Sequence, residues 1–236
     1  MFASSLDLAD GWSKIAEGSA RDVYASADYP DVLLKLVKPE CIGVNGSRKT
    51  RHKLLFFRKY RRFGAYMTFR REFDEYLEQA RKSAQWNSED LPIAKVFGLV
   101  HTSLGLGLVV EKVRDRNGQL APTLLSLARS GKLTQRHYDM LAEFFEECRK
   151  RHIVLMDKTP GNFVVAPKAD GGEHIVCIDG TGDKSLFKLY SASRYFNGLK
   201  LERYHRKVLW KMAKAMQSKP QPERLDPRPD AIKLAG

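Results

Sequence analysis

A chain of 236 residues, 43% hydrophobic and 29% charged, holds enough apolar material for a packed core and too much for a disordered segment. No apolar run approaches the roughly 20 residues that cross a bilayer, and Asp7 and Asp10 near the start argue against a secretory signal. Three scattered cysteines, Cys41, Cys148 and Cys177, read as buried thiols of a reducing compartment rather than a disulfide or zinc framework, while a net charge of +13 asks for an anionic partner.

Residues 12–37 read as short strands joined by a glycine turn, at 12–15, 23–24 and 32–37. A loop at Gly43, Asn45 and Gly46 leads into the most basic part of the chain. No acidic residue lies between Glu40 and Glu72, whereas Arg48, Lys49, Arg51, Lys53, Arg58, Lys59, Arg61, Arg62, Arg70 and Arg71 do. Interleaved with them are Leu54, Leu55, Phe56, Phe57, Tyr60, Phe63, Tyr66 and Phe69. Basic heads on apolar bodies suit a membrane interface, a single-stranded nucleic acid or an acidic glycolipid. They equally suit a solvated basic helix packed by its aromatic stripe.

Helix follows to about Lys82, with Phe69, Phe73, Tyr76 and Leu77 at helical spacing. Residues 93–100 and 106–113 alternate as strands about a turn near Ser103. One helix is expected from about Thr134, its cap, to Arg151, because Tyr138, Leu141, Phe145, Cys148 and His152 step by three and four. Residues 163–165 and 175–178 form a hairpin about Asp170, Gly171 and Gly172. Helix resumes from about Ser185 to Met216, with a second basic stretch at His205, Arg206, Lys207, Lys211 and Lys214 on its surface. The last nineteen residues, with Pro220, Pro222, Pro227 and Pro229, read as a loose tail. The expected class is α+β in two lobes: 1–113 with a basic insertion at 43–71, then a helical 114–217, then the tail at 218–236.

The hairpin is where chemistry concentrates. Before it stands Asp157-Lys158-Thr159-Pro160-Gly161-Asn162 and after it Ile178-Asp179-Gly180. An Asp followed five residues later by an Asn, after a long helix, has the spacing of a kinase catalytic loop; an apolar strand ending in Asp-Gly has that of the metal-binding Asp. Phosphoryl transfer needs one carboxylate to orient the nucleophile, and an amide oxygen and a second carboxylate to hold Mg²⁺ on the phosphates. Upstream, Lys35 lies within Val32-Leu33-Leu34-Lys35-Leu36-Val37, where an inward ammonium would need an anionic partner and an outward one would simply be solvated. Glu72 and Glu75 are the candidate partners, on adjoining helical faces. Glu72 is favoured, with Glu75 left as a solvent-facing acid. Gly18 and Ser19 supply the small residues of a phosphate-covering turn.

Taken in order, Gly18, Lys35, Glu72, the strand ending Val110-Glu111-Lys112-Val113, Asp157, Asn162 and Asp179 resemble the protein-kinase-like fold over about residues 12–182. The chain more closely resembles the bacterial YrbL family, the small kinase-like proteins named for the PhoP regulatory network. The resemblance is carried by Glu17-Gly18-Ser19-Ala20-Arg21 ahead of Val23-Tyr24, by Lys35-Leu36-Val37, by Arg71-Glu72, by residues 151–156 and by residues 158–162. It implies a small antiparallel-sheet N-lobe, a shortened helical C-lobe and a bacterial cytosolic setting.

As a kinase, the chain would use ATP and Mg²⁺. Lys35, oriented by Glu72, would hold the α and β phosphates beneath Gly18 and Ser19. Asp179 and Asn162 would hold the metal, Asp157 would orient the attacking hydroxyl, and backbone groups from Glu111 to Val113 would meet the adenine. Several features depart from a protein kinase. Only Gly18 remains of the glycine loop, and Arg21 at a glycine position would either crowd the phosphates or contact them. Leu155-Met156 replaces the usual His-Arg, and Gly180 follows Asp179 directly with no Phe between. The short C-lobe favours a small-molecule or glycolipid acceptor over a protein.

The expected function is transfer of the ATP γ-phosphate to a hydroxyl of an acceptor that the sequence does not name, with an envelope sugar or glycolipid as the candidate. The alternative is a regulatory module that binds ATP without transferring phosphate and engages a protein or anionic membrane through the basic segment. The Arg48–Arg71 segment would recruit an anionic acceptor or the inner face of the membrane. Nucleic acid ranks last, since no recognisable nucleic-acid motif accompanies the charge.

Overall fold

The computed structural model describes residues 5–49, 62–86, 91–168, 170–185 and 187–217. Most of the basic aromatic segment, residues 50–61 with Arg58, Lys59 and Arg61, lies outside the described residues, as does the expected tail at 218–236.

The first half is one five-stranded antiparallel sheet in the order β1-β2-β3-β5-β4, built from β1 (Trp12–Glu17), β2 (Arg21–Ser26), β3 (Val32–Val37), β4 (Val96–Thr102) and β5 (Gly105–Glu111). β3 is central and apolar on both faces, so alternation sorts its residues between two cores. Leu34 and Leu36 pack with Leu8, while Leu33 and Val37 join Phe69, Val96, Leu108 and Val110 on the other face. Lys35 falls in register with Leu33 and Val37, on the face that meets helix α1 (Met67–Trp86). That period-two placement turns its ammonium inward.

Helix α1 lies between β3 and β4 in the chain and packs Phe69, Phe73 and Tyr76 on the sheet. Glu72, Glu75 and Gln79 are buried beside this stripe. The strand expected from residue 93 starts at Val96 instead. Pro92 and Ala94 bond across to Cys177, and Ile93 enters the core of the second half.

The second half is helical around one hairpin: α2 (Leu124–Arg129), α3 (Gln135–Arg151), β6 (Phe163–Pro167) with β7 (Glu173–Cys177), α4 (Leu189–Ala192) and α5 (Arg194–Gln217). Thr134 caps α3 as expected, in a reciprocal capping box with His137, and His152 ends the helix in a left-handed conformation. Fully buried Phe163 packs edge-on against Phe144 of α3, with ring centroids 5.3 Å apart, and Val208 and Met212 of α5 close the same core.

The helix expected from Ser185 begins later because Asp183 intervenes. Its carboxylate accepts from the backbone N–H groups of Ser185, Tyr190 and Ser191 at 2.8–2.9 Å, a local competitor to helix, and extended Ser193 then separates α4 from α5. Cys148 and Cys177 are buried free thiols; Cys41 is free but only half-buried, because it ends the short surface turn Pro39–Cys41 rather than lying in a core strand. Among the described residues no helix is long and apolar enough to cross a membrane. The result is an α+β arrangement, with a small antiparallel sheet, one helix braced on it, and a short helical lobe carrying a hairpin.

Candidate active site

Four charged side chains from four separate elements meet between the sheet and the hairpin. Lys35 Nζ of β3 lies 3.1 Å from Glu72 Oε2 of α1 and donates to the Ile178 carbonyl at 2.7 Å. The same ammonium is 3.9 Å from Asp179 Oδ1, just past β7. Arg21, at the start of β2, donates to Glu72 Oε1 at 2.6 Å and also to Asp179 Oδ1. Glu72 is thus the partner of Lys35, and Arg21 neither crowds a phosphate loop nor projects into solvent. It lies inside the ion cluster. The sequence signal for this was a long cation at a position where glycine is usual.

The two carboxyls respond differently. Burial pushes Glu72 above the ordinary carboxylate value despite Lys35 and Arg21. Burial also works to raise Asp179, but Lys35 and Arg21 hold it well below. Asp179 is therefore the firm anion of the pair and Glu72 the first to take a proton on acidification.

Glu75 corrects the sequence reading. It is buried rather than solvent-facing, and its Oε1 accepts from Gln79 Nε2 at 2.9 Å and from the Val154 N–H at 3.1 Å. Helix α1 is thereby pinned to the segment that leads into Asp157. Burial raises the Glu75 carboxyl above its ordinary 4.5, against those two hydrogen bonds. A carboxyl raised in the folded state favours folding below its unfolded value, and that contribution is lost as the pH climbs through the folded value.

Glu75→Gln keeps an oxygen for Val154 without the charge. It should melt above the wild type at pH 8, with the gap closing towards pH 4.5. Glu75→Ala should lose about 1–3 kcal/mol by orphaning the Val154 N–H. Thermal melts at both pH values check this, and a Gln variant less stable than wild type at pH 8 would contradict it.

Asp157 is held by its own loop: Oδ1 accepts from the Lys158 N–H at 2.6 Å and from Thr159 Oγ1 at 2.8 Å. Gly180 binds this loop to Asp179, since its carbonyl accepts from the N–H groups of Met156 (2.6 Å) and Asp157 (3.3 Å). Lys184, which the sequence did not single out, donates to the Met156 carbonyl at 3.0 Å, and burial lowers its ammonium from the ordinary lysine value.

Gly18, Ser19, Arg21, Lys35, Asp157 and Asp179 border one cavity of about 300 Å³. The turn above it is tight, with Gly18 N–H donating to the Arg21 carbonyl at 2.7 Å, and a Cβ on Gly18 would come within 3.1 Å of that oxygen. The other sequence candidates do not border that cavity, although Asn162 lies against Gly180, the neighbour of Asp179. Asn162 sits behind Gly180, with its Nδ2 3.3 Å from where a Gly180 Cβ would be, and its carbonyl accepts from Ile178. Glu111 and Val113 border a second cavity of about 450 Å³ that shares no residue with the first. The Glu111 and Lys112 N–H groups bond to Lys95 and Asp31, and the Val113 carbonyl accepts from Ala121.

Among the described residues no cluster of three or more His, Cys, Asp or Glu side chains could hold a metal. Asp179 with Asn162 is a hard-oxygen set that suits Mg²⁺ completed by phosphate oxygens, and it fits that ion in donor chemistry.

The model of the family described as PhoP regulatory network protein YrbL matches residues 6–213, which takes in the whole sheet, the charged cluster and the hairpin. The chain belongs to the YrbL family. No curated protein matches it. Among solved structures it is similar to one titled "Co-crystal structure of WbdD and kinase inhibitor LY294002", at 15% identity and a TM-score of 0.36. That alignment covers 70% of this chain and 32% of the other, so the YrbL-family chain spans about a third of that protein's length.

Proposed function

We propose that this YrbL-family chain is an ATP- and Mg²⁺-dependent phosphotransferase acting on a hydroxyl acceptor. One observation carries the reading: Lys35, paired with Glu72, and Asp179 border the same cavity as Asp157. At about 300 Å³ that cavity is at the small end of ligand sites and suits a triphosphate better than a whole nucleotide. Lys35 would neutralise the α and β phosphates, with Glu72 fixing its direction. Asp157, fixed by Lys158 and Thr159, would orient the acceptor hydroxyl and take its proton. Asp179 and Asn162 would hold Mg²⁺, which when bound offsets phosphate charge. Backbone groups from Glu111 to Val113 would meet the adenine, from a cavity that shares no residue with the phosphate-sized one.

A larger cavity of about 610 Å³ adjoins the first, sharing Arg71 and Lys184 with it and adding Arg62, Arg70 and Lys188. Asp74, Glu75, Glu78 and Asp183 line it too, and Arg70 and Lys188 both pair with Asp74, but its cations outnumber these acids, and that surplus supports an anionic acceptor, a phosphorylated sugar or glycolipid, delivered with the help of the basic segment at 48–71. Vesicle co-sedimentation reads that part: replacing Arg58, Lys59, Arg61 and Arg62 by Ser should abolish binding to anionic vesicles, and unchanged binding would remove the segment from the proposal.

Calorimetry with ATP on wild type, Lys35→Ala and Asp179→Ala, with and without Mg²⁺, tests the nucleotide site. Wild type should bind only with Mg²⁺, and each variant should lose at least tenfold in affinity. Absence of binding in wild type would remove the kinase reading. The hold of Arg21 on Asp179 favours a second reading, a regulatory module that binds Mg-ATP without transferring phosphate. Tight binding with no transfer to any anionic sugar tried would select it.

A further inference from the structure

Arg21 gives the charged cluster a property that the four sequence positions Lys35, Glu72, Asp157 and Asp179 would not have by themselves. Two carboxylates, Glu72 and Asp179, facing one ammonium, Lys35, would leave these three groups one net negative charge, opposite in sign to Arg48, Arg71 and Lys184, which border the same cavity. Such a site attracts a divalent cation from solution without help from a nucleotide. Arg21 adds the fourth charge and brings the sum to zero. It also sits on Asp179 Oδ1, one of the two oxygens the carboxylate could offer a metal and one that the Gly180 N–H already holds at 2.6 Å, while its other nitrogen holds Glu72 Oε1 at 2.6 Å. Burial works to lower the guanidinium pKa, but the two carboxylates raise it above its ordinary value, so the charge stays in place.

A bare dication meeting this neutral cluster, in a cavity that Arg48, Arg71 and Lys184 also border, gains nothing from the local field and finds one oxygen of its ligand taken. A dication arriving with a triphosphate brings polyanionic oxygens, and a guanidinium matches phosphate as well as it matches carboxylate. Arg21 has a short way to move. Its backbone closes the Gly18 turn over the phosphate-sized cavity, and its side chain already borders that cavity.

We propose that Arg21 is a phosphate-binding residue which, in the nucleotide-free protein, occupies Asp179 and excludes divalent cations. Entry of a metal–nucleoside triphosphate exchanges the Arg21–Asp179 pair for an Arg21–phosphate pair and frees the carboxylate for the metal. This rests on the nucleotide reading of the cleft, and it makes metal loading conditional on nucleotide.

The test is Mn²⁺ binding followed by electron paramagnetic resonance on nucleotide-free wild type, Arg21→Met and the double variant Arg21→Met/Asp179→Asn. Calorimetry with Mg²⁺ and a non-hydrolysable ATP analogue accompanies it. Arg21→Met should bind Mn²⁺ at least tenfold more tightly than wild type, the double variant should lose that gain, and Arg21→Met should bind the metal–nucleotide at least tenfold more weakly. Arg21→Lys, which keeps the charge but not the two-pronged reach, should fall between on both measures and serves if the Met variant does not fold. Equal Mn²⁺ affinity in wild type and the folded Arg21 variants overturns the exclusion role. Unchanged nucleotide affinity overturns the phosphate role. If Mn²⁺ affinity rises as expected but no protein binds the analogue, exclusion stands and the nucleotide reading is what fails.

Discussion

Glu72→Ala is expected to destabilise the fold by about 3–5 kcal/mol, the usual cost of removing one partner of a buried ionic group. The side chains of Lys35 and Arg21 are 8% and 16% exposed, and both lean on this one carboxylate, at 3.1 and 2.6 Å. Without it two cations must share Asp179, which is itself 31% exposed and reaches Lys35 only at 3.9 Å. The expected loss measures what it costs to strand those cations rather than the net worth of the ion pairs, since a well-packed apolar replacement of the whole cluster would be close to neutral. Adding Lys35→Met to Glu72→Ala should therefore recover part of the loss, with a coupling of about 0.5–3 kcal/mol. Urea unfolding of the four proteins of this cycle checks it. Additive effects, or a single-variant loss below about 1 kcal/mol, would mean that water already solvates the cluster.

Gly180→Ala is expected to cost about 2–6 kcal/mol and to abolish Mg-ATP binding together with it. The backbone at Gly180 has φ +79, a left-handed conformation that costs a side chain about 1–3 kcal/mol. The added Cβ would also stand 2.7 Å from the Asp157 Cβ, an overlap that adds about 1–3 kcal/mol unless the loop moves. Moving it would break the bonds from the Met156 and Asp157 N–H groups to the Gly180 carbonyl, and these hold Asp157 against Asp179. The absence of a bulky residue after Asp179 thus has a local physical reason. The two carboxylates are packed so closely through the backbone that a side chain there has nowhere to go. A Gly180→Ala protein with wild-type melting temperature and wild-type nucleotide affinity would show that the Asp157 loop shifts freely.

Much of this was legible in the chain because it depends on short-range patterns. Period-two alternation through residues 32–37, three-and-four steps through 138–152, and Thr134 ahead of that helix each specify an element without reference to the rest of the molecule. The order Lys35, Glu72, Asp157, Asn162, Asp179 was likewise readable, since the chemistry demands those types in that sequence. Boundaries failed where a distant partner intervened: Ile93 left its strand for the other half's core, and the Asp183 carboxylate took backbone donors that would have started a helix at Ser185. Glu75 was read as solvent-facing because helical spacing fixes only which face a residue shares. Its acceptor role belongs to Val154, 79 residues away.

The sequence by itself therefore determined the α+β class, the family, and which polar residues could meet, because local propensity and residue type carry that information. The packing of remote segments, by contrast, sets Arg21 as the closing member of the cluster, places the Glu111–Val113 segment on a separate cavity while Asn162 lies against Gly180, and leaves the four-residue cluster electrically balanced. These depend on distances between segments remote in the chain, 158 residues apart for Arg21 and Asp179, and on the burial that makes each unpaired charge costly.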